Sequence, residues 1–134
     1  MLSARHRLRQ PADFAAVIRR GVRAGRPAVV VHLLLTDGAA GAEPPTEPVP
    51  APLPARVGFV VPKTVGNAVV RNRVTRRLRA LCAARIDTFP AGSRVVVRAL
   101  PPAAAATFTE LAEQLDSARS TVVRRATASS QVRG

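Results

Sequence analysis

The strongest pattern in this chain is the stretch Gly66-Asn67-Ala68-Val69-Val70-Arg71-Asn72-Arg73-Val74-Thr75-Arg76-Arg77-Leu78-Arg79. Five arginines lie within nine of its residues, and it contains no carboxylate. Pro62 and Gly66 interrupt the chain just before it, and Asn67 is a favourable N-cap. The stretch therefore predicts a helix that begins after Asn67 and runs to about Arg85.

This predicted helix has one apolar face and one basic face. At 100° per residue, the apolar stripe consists of Val70, Val74, Leu78 and Leu81, and the opposite face of Asn72, Arg76 and Arg79. Arg73 and Arg77 flank the stripe on one edge and Arg71 flanks it on the other, where long stems can cover apolar surface. We expect the helix to pack on one side and to present positive charge on the other.

The charge of the chain favours a polyanionic partner. Its 21 Lys and Arg against 8 Asp and Glu give a net charge of +13, and no acidic residue lies between Pro48 and Ile86. Within the helix, Arg73 has Arg76 and Arg77 as like-charged neighbours, and each such pair costs about 0.2 to 0.5 kcal/mol. Because bound phosphates would turn this repulsion into attraction, the pattern predicts nucleic-acid binding rather than a merely solvated helix face.

Two further observations bear on the kind of nucleic-acid contact. The chain has four Phe and no Trp or Tyr, so an aromatic platform for stacking single-stranded RNA is not encoded. Lys63, the only lysine, precedes the helix start, where free amide groups and the helix dipole could seat one phosphate. The alternative for Lys63 is a solvated loop residue. Recognition of RNA by shape and backbone fits these features best.

The rest of the chain predicts a small α+β domain. Helices are predicted over residues 11 to about 21 and from about 107, and strands over 28–36, 56–61 and 94–100, with a short edge strand before residue 28. In the last helix, we expect an apolar side that consists of Phe108, Leu111, Leu115 and Val122. Residues 1–125 are expected to form a single RNA-binding domain, with a Pro- and Ala-rich disordered insert at about 37–55 and a flexible tail at 126–134.

The sequence also indicates a compartment. No apolar run approaches the roughly 20 residues of a membrane span, and the basic start lacks the apolar core of a secretory signal. We therefore expect a cytoplasmic protein that has no membrane partner. Cys82 is the only cysteine, so an intrachain disulfide is impossible and a small buried apolar thiol is expected.

Specific segments of the chain resemble a known family. The central segments are Arg56-Val57-Gly58-Phe59-Val60-Val61-Pro62-Lys63 and Gly66-Asn67-Ala68-Val69-Val70-Arg71-Asn72-Arg73, followed by Arg76; the flanking segments are Asp13-Phe14-Ala15-Ala16-Val17 with Gly21, and Arg98-Ala99-Leu100-Pro101-Pro102. Over roughly residues 5 to 125, apart from the insert, the chain resembles the protein component of bacterial ribonuclease P. Thr75 stands where this family usually has a lysine, Ala80 where it often has an acidic residue, and Pro62 and Thr64 interrupt a strand end that is usually richer in Ser and Lys. The arginines on the exposed side of the predicted helix are intact.

The resemblance implies an α/β sandwich in the order α-β-β-β-α-β-α, similar to the second domain of ribosomal protein S5. A central four-stranded sheet would be crossed by the arginine-rich helix in a left-handed β-α-β connection, against the usual right-handed rule.

The resemblance also implies a function. The family's protein binds a large catalytic RNA, and together they remove the 5′ leader from precursor tRNA while the RNA performs the chemistry. The RNA-binding residues implied are Lys63, Asn67, Arg71, Asn72, Arg73, Arg76, Arg77 and Arg79. A cleft between the first helix and the sheet would bind the leader through Phe14, Ile18 and His32. The alternative is core packing for Phe14 and Ile18, and a satisfied inward or half-buried histidine for His32. No catalytic or metal-binding residue, no cofactor of the protein alone and no protein partner is inferred; Mg²⁺ is expected in the ribonucleoprotein.

Three other classes of function remain as alternatives. A ribosomal or other structural-RNA-binding protein would share the charge and the lack of stacking aromatics. An autonomous nuclease would need clustered carboxylates or paired histidines, which the middle of the chain does not contain. A reader of double-stranded DNA is disfavoured because no helix-turn-helix element precedes the arginine-rich helix.

Overall fold

A four-stranded mixed sheet forms the centre of this α+β protein. The computed structural model describes residues 6–35 and 54–133, with side chains as far as residue 128. Its elements are α1 (Pro11–Arg20), β1 (Val22–Gly25), β2 (Val29–Leu34), β3 (Arg56–Val60), α2 (Ala68–Arg85), β4 (Arg94–Ala99) and α3 (Phe108–Arg133). The strand order is β1-β2-β4-β3, with β3 and β4 parallel and the other pairs antiparallel.

The predicted order of elements is confirmed, with small differences at strand ends. The short edge strand is present as β1, and α2 connects the adjacent parallel strands β3 and β4. β4 ends one residue earlier than predicted, before Leu100, and β2 spans only Val29–Leu34 of the predicted 28–36. The left-handed sense of the crossover stays a prediction, and most of the predicted insert at 37–55 lies outside the described residues.

The two faces of the sheet carry different layers because successive strand residues point to opposite sides. One face forms the main core with α2 and α3, and its buried strand residues include Val29, Val31, Leu33, Val57, Val95, Val97 and Ala99. The other face is covered in part by α1, where Val17 packs against Val96 and Leu8. The arginine-rich helix and the first helix therefore lie on opposite faces of the sheet.

The last helix, α3, begins with a capping box. The backbone N–H of Glu110 donates to Thr107 Oγ1 at 3.0 Å, and the backbone N–H of Thr107 donates to Glu110 Oε1 at 3.2 Å. Of the four residues predicted on its apolar side, Leu111, Leu115 and Val122 are fully buried, but Phe108 is 47% exposed because it lies in the first turn. The helix continues to Arg133 with Ala126 buried, and the flexibility expected of residues 126–134 stays a prediction.

Ion pairs join α2 to α3 at one end of the core. Arg85 donates through Nε and Nη2 to the two carboxylate oxygens of Asp116, and Arg119 donates to the same carboxylate at 3.0 Å. The hydrogen bond from Arg85 lowers the pKa of Asp116. Cys82 lies beside this network and is fully buried as expected; burial raises the pKa of its thiol to about 12.

Candidate nucleic-acid interface

Helix α2 has the two faces that its sequence predicts. The side chain of Asn67 caps the helix, because its Oδ1 accepts a hydrogen bond from the backbone N–H of Val70 at 3.0 Å. The buried face consists of Val74, Leu78, Leu81 and Cys82, and Val70 packs half-buried at its edge. Asn72, Arg76 and Arg79 are exposed on the opposite side. We call these three residues the arginine face.

Arg73 and Arg77 have a role that the sequence did not predict. Arg73 donates to the backbone carbonyl of Ala104 at 2.9 Å, and Arg77 donates to the carbonyl of Ala106 at 3.1 Å. Both side chains are half-buried, and both hold α2 against the segment that leads from β4 to α3. These residues therefore support the fold directly, whether or not they also contact RNA. Their position at the edge of the apolar stripe is the sequence feature that could have predicted this role.

On the other edge of the stripe, Arg71 is half-buried. Its Nε is buried and has no hydrogen-bond partner among the residues that the structure describes. Its backbone N–H donates to the carbonyl of Asn67 at 2.9 Å, as expected in the first turn of a helix.

The chain approaches α2 through a tight turn that places a positive charge at the helix start. Residues Lys63–Val65 form a 3₁₀ turn, with Val65 buried and Lys63 exposed. A Cβ at Gly66 would lie 2.9 Å from Val70 Cβ, so only glycine permits this close approach. The first turn of α2 contains no acidic residue, so no side-chain charge in that turn offsets the positive end of the helix dipole.

Helix α1 crosses the other face of the sheet from β3 to β1. At the start of α1, Asp13 forms an ion pair with Arg94 of β4, with 2.8 Å between Asp13 Oδ1 and Arg94 Nη1. The Phe14 ring lies over Gly58 of β3, where any Cβ would collide with it. Past its end, a Cβ at Gly21 would lie 2.6 Å from the backbone oxygen of Leu33 in β2. The first helix thus packs closely on the side of the sheet where the leader cleft is predicted, and the cleft itself stays a prediction.

The strand register leaves part of this sheet face open. The row nearest the centre of α1 consists of Arg23, His32, Val96 and Gly58, and the next row consists of Gly25, Val30, Arg98 and Val60. In the second row Gly25 and Arg98 are exposed, and Val30 and Val60 are half-buried. We call this second row the open sheet strip. Sequence reasoning missed Arg98, although the alternation of β4 points it to the same face as Arg94.

The three residues predicted for the cleft differ in accessibility. Ile18 is 40% exposed on α1, and Phe14 is half-buried beside it. His32 is only 2% exposed, so it offers almost no surface to a ligand. His32 thus lies on the α1 side of the sheet, in the row of Arg23 and Val96, and its part in leader binding stays a prediction.

The environment of His32 favours its neutral form. Neither ring nitrogen has a hydrogen-bond partner among the described residues. Burial, together with the positive charges of Arg98 and Arg23, lowers the pKa of its imidazole below the ordinary value. A positive charge on His32 would therefore be costly in the folded protein.

We expect the free energy of unfolding to fall as the pH is lowered from about 7 to about 5, and the substitution His32→Leu to reduce this fall. Folding lowers the pKa of His32. The contribution of neutral His32 to stability is therefore complete above the ordinary pKa of 6.5, and it is lost as the pH falls toward the pKa of the folded protein. One proton contributes a slope of at most about 1.4 kcal/mol per pH unit. Urea unfolding across this pH range measures the effect, with His6→Leu as the matched control. Equal slopes in wild type and His32→Leu would contradict it.

Neither a membrane span nor a metal-binding cluster is found in the parts of the chain that the structure describes. No described helix is both long and apolar enough to cross a bilayer. Within residues 6–35 and 54–133, no three His, Cys, Asp or Glu residues come together as metal ligands would.

Curated relatives match nearly the whole chain. The family model described as Ribonuclease P matches residues 2–123. A ribonuclease P protein component from Nocardioides sp. is 54% identical over 116 residues, which cover 87% of this chain and 90% of the relative. The corresponding protein of Streptomyces bikiniensis is 53% identical over 118 residues, which cover 88% of this chain and 92% of the relative.

Solved structures show the same fold at lower sequence identity. The ribonuclease P protein of Staphylococcus aureus superposes with a TM-score of 0.70 at 22% identity, over 88% of this chain and 97% of that one. The Thermotoga maritima protein superposes with a TM-score of 0.65 at 21% identity, over 88% of this chain and 96% of that one. The family model and the relatives of more than 50% identity show that the chain belongs to the ribonuclease P protein family, whose members are the protein components of the ribonucleoprotein that processes the 5′ ends of tRNA.

Proposed function

We propose that this chain binds the catalytic RNA through the arginine face of α2 and binds the 5′ leader of precursor tRNA beside α1. The observation that carries the proposal is the exposure of Arg76 and Arg79 on a helix whose other side is locked into the core. Neither guanidinium has a carboxylate partner among the described residues. Lys63, Asn67, Arg71, Asn72, Arg73 and Arg77 would extend this surface toward the helix start and its edges.

The chemistry of these side chains suits binding rather than bond cleavage. A guanidinium is permanently protonated and matches a phosphate with two parallel hydrogen bonds, but it cannot act as a general base at neutral pH. It also has no lone pair to ligate a cation. Arg76 and Arg79 therefore do not fit a bound Mg²⁺ as ligands, and we infer that the RNA holds most ligands of any Mg²⁺ in the ribonucleoprotein. The protein contributes positive charge and helps to position the RNA. It acts in the cytoplasm, where its RNA partners are made.

The leader would lie against the open sheet strip, with α1 beside it. Phe14 and Ile18 supply apolar surface from α1, and Arg98 supplies a positive charge from the strip. His32 would act indirectly, because its buried ring lies between Arg23 and Val96 in the row beneath α1. Single-stranded RNA fits such a surface because its bases can splay and its phosphates remain accessible.

Reconstitution tests the function. The chain is added to cognate ribonuclease P RNA and precursor tRNA at low magnesium, and 5′ maturation is measured. We expect stimulation by the protein and no cleavage when the RNA is omitted. Absence of stimulation, with tight binding to ribosomal RNA instead, would favour the structural-RNA alternative. Cleavage by the protein alone would overturn the assignment of chemistry to the RNA.

A pair of substitutions tests the leader site. We expect Phe14→Ala to reduce the preference of the holoenzyme for precursor over mature tRNA by about tenfold, since one base contact on an aromatic ring contributes about 1 to 3 kcal/mol. Gly58→Ala should act in the same direction, because its Cβ would displace the Phe14 ring. In the double variant, Gly58→Ala should add little to the loss from Phe14→Ala. Competition binding with both tRNA forms measures this; equal losses for the two forms would indicate core packing only.

A further inference from the structure

A second arginine-rich surface lies at the edge of the sheet, on the strand farthest from β3. It is built from the end of α1, the edge strand β1 with the residue after it, and the later turns of α3. Its members are Arg19, Arg20, Arg23, Arg26, Arg124 and Arg125. Five of the six are exposed, and Arg26 is half-buried. We call this surface the β1-edge patch.

Hydrogen bonds between distant residues hold the β1 and α3 parts of the patch together. Arg26 donates from Nε to Ser117 Oγ at 2.9 Å and from Nη2 to Thr121 Oγ1 at 2.9 Å, and so ties the end of β1 to α3. Arg125 donates to the backbone carbonyl of Arg23 at 2.6 Å and makes the same connection one turn further along α3. The β1 and α3 parts of the patch are therefore fixed to each other, although Arg23 and Arg125 are 102 residues apart in sequence.

All of these hydrogen bonds use neutral acceptors, so the positive charges are not neutralised. Where the fold uses an arginine in an ion pair, the partner is a carboxylate, as in Arg85 with Asp116 and Arg94 with Asp13. None of the six patch arginines has such a partner in residues 6–35 and 54–128. Asp116 is next to Ser117 in sequence but is engaged by Arg85 and Arg119. Several unneutralised guanidinium groups on one rigid surface are suited to a chain of phosphates.

The patch is continuous with the proposed leader site. Arg23 is the β1 neighbour of His32 in the row beneath α1, and Gly25 forms the β1 end of the open sheet strip. On α1, Arg19 and Arg20 directly follow Ile18. The strip crosses the sheet from Val60 on β3 to Gly25 on β1, so a strand of RNA that lies along it leaves the sheet at the patch.

We propose that the β1-edge patch binds the phosphate backbone of the upstream part of the precursor's 5′ leader, beyond the nucleotides that lie against the sheet. This inference rests on the proposed leader site beside α1 and extends it. The patch contributes affinity but little base preference, because guanidinium contacts to phosphates do not read sequence.

Leader length provides the test. Precursors with leaders of about 4 and about 16 nucleotides, which span the usual site sizes of single-strand-binding surfaces, are compared with mature tRNA in binding to the reconstituted holoenzyme. The test variant is Arg20→Gln with Arg23→Gln; the matched control is Arg9→Gln with Arg56→Gln, two exposed arginines that belong neither to the patch nor to α2. We expect the test variant to lose about 10- to 30-fold in affinity for the long leader at about 0.1 M salt, with a salt slope lower by about 1.4 for two single-strand phosphate contacts.

The short-leader precursor and mature tRNA should bind the test variant as they bind wild type, and the control should retain wild-type affinity for all three RNAs. Equal losses for all three in the test variant would place its contact on the catalytic RNA or the tRNA body and would overturn the proposal. An unchanged affinity for the long leader would also overturn the proposal. The arginines of the patch would then serve only to keep the edge strand β1 from pairing with other chains. If Phe14→Ala retains full discrimination against mature tRNA, the leader site itself fails, and this result is independent of the patch variants.

Discussion

Replacing Arg76 and Arg79 together by glutamine is expected to weaken binding of the protein to the catalytic RNA by about 100-fold at about 0.05 M salt. Both side chains are exposed on the arginine face, and glutamine keeps much of the stem while removing the charge. For two lost phosphate contacts, the slope of log affinity against log salt should fall by about 1.4 to 1.8. Filter binding or fluorescence titration over a salt series measures both quantities.

The matched control for this prediction is Arg9→Gln with Arg56→Gln, which removes the same charge from exposed positions outside α2. The control separates direct contact from the general attraction of a protein of net charge +13 to any polyanion. If both double variants lower the salt slope equally, the arginine face is not a specific contact surface. The circular dichroism of both variants should match wild type, because neither pair packs in the core.

The largest effect on stability is expected at the joint between α1 and β1. Gly21→Ala should lower the free energy of unfolding by about 3 kcal/mol, since a Cβ at this position would lie 2.5 Å from the backbone oxygen of Val17 and 2.6 Å from that of Leu33. Backbone atoms on both sides cannot move aside as a side chain can. The backbone of Gly21 itself has an ordinary φ of −76°, so the cost comes from close contact and not from conformation.

Gly25→Ala, at the far end of β1, is the matched control for this prediction. A Cβ there would have Val30 Cγ2 as its nearest neighbour, at 4.0 Å, so we expect a change within about 0.5 kcal/mol. Urea unfolding compares the two variants. Equal stability would mean that α1 can shift away from β2, and the geometry of the leader site would then be less fixed than the contacts of Gly21 indicate.

The faces of α2 could be predicted from sequence because they depend only on the helical period. A residue such as Leu78 is buried and Arg76 is exposed wherever the helix packs, provided that one side meets the core. The cap at Asn67 is equally local, since the acceptor and the donor are three residues apart. These features required no knowledge of the rest of the fold.

Features that depend on where distant segments meet could not be predicted in this way. The burial of His32 requires α1 to cross β2, and nothing in the strand pattern specifies which polar residue that helix covers. The β1-edge patch requires α3 to pass beside β1, so that Arg125 and Arg23 meet across 102 positions of sequence. The exposure of Phe108 depends on how α3 begins, because helical spacing alone places it with Leu111 and Leu115.

The carbonyl contacts of Arg73 and Arg77 have a consequence for the thermodynamics of RNA binding. An arginine side chain carries about 2 kcal/mol of rotamer entropy, which is normally lost when it first orders on a ligand. Here the carbonyls of Ala104 and Ala106 restrict both side chains on folding, while each guanidinium retains further N–H groups for a phosphate. RNA that contacts these two arginines would therefore meet groups that are already oriented, and the entropic cost of association would fall on the freer side chains of Arg76 and Arg79.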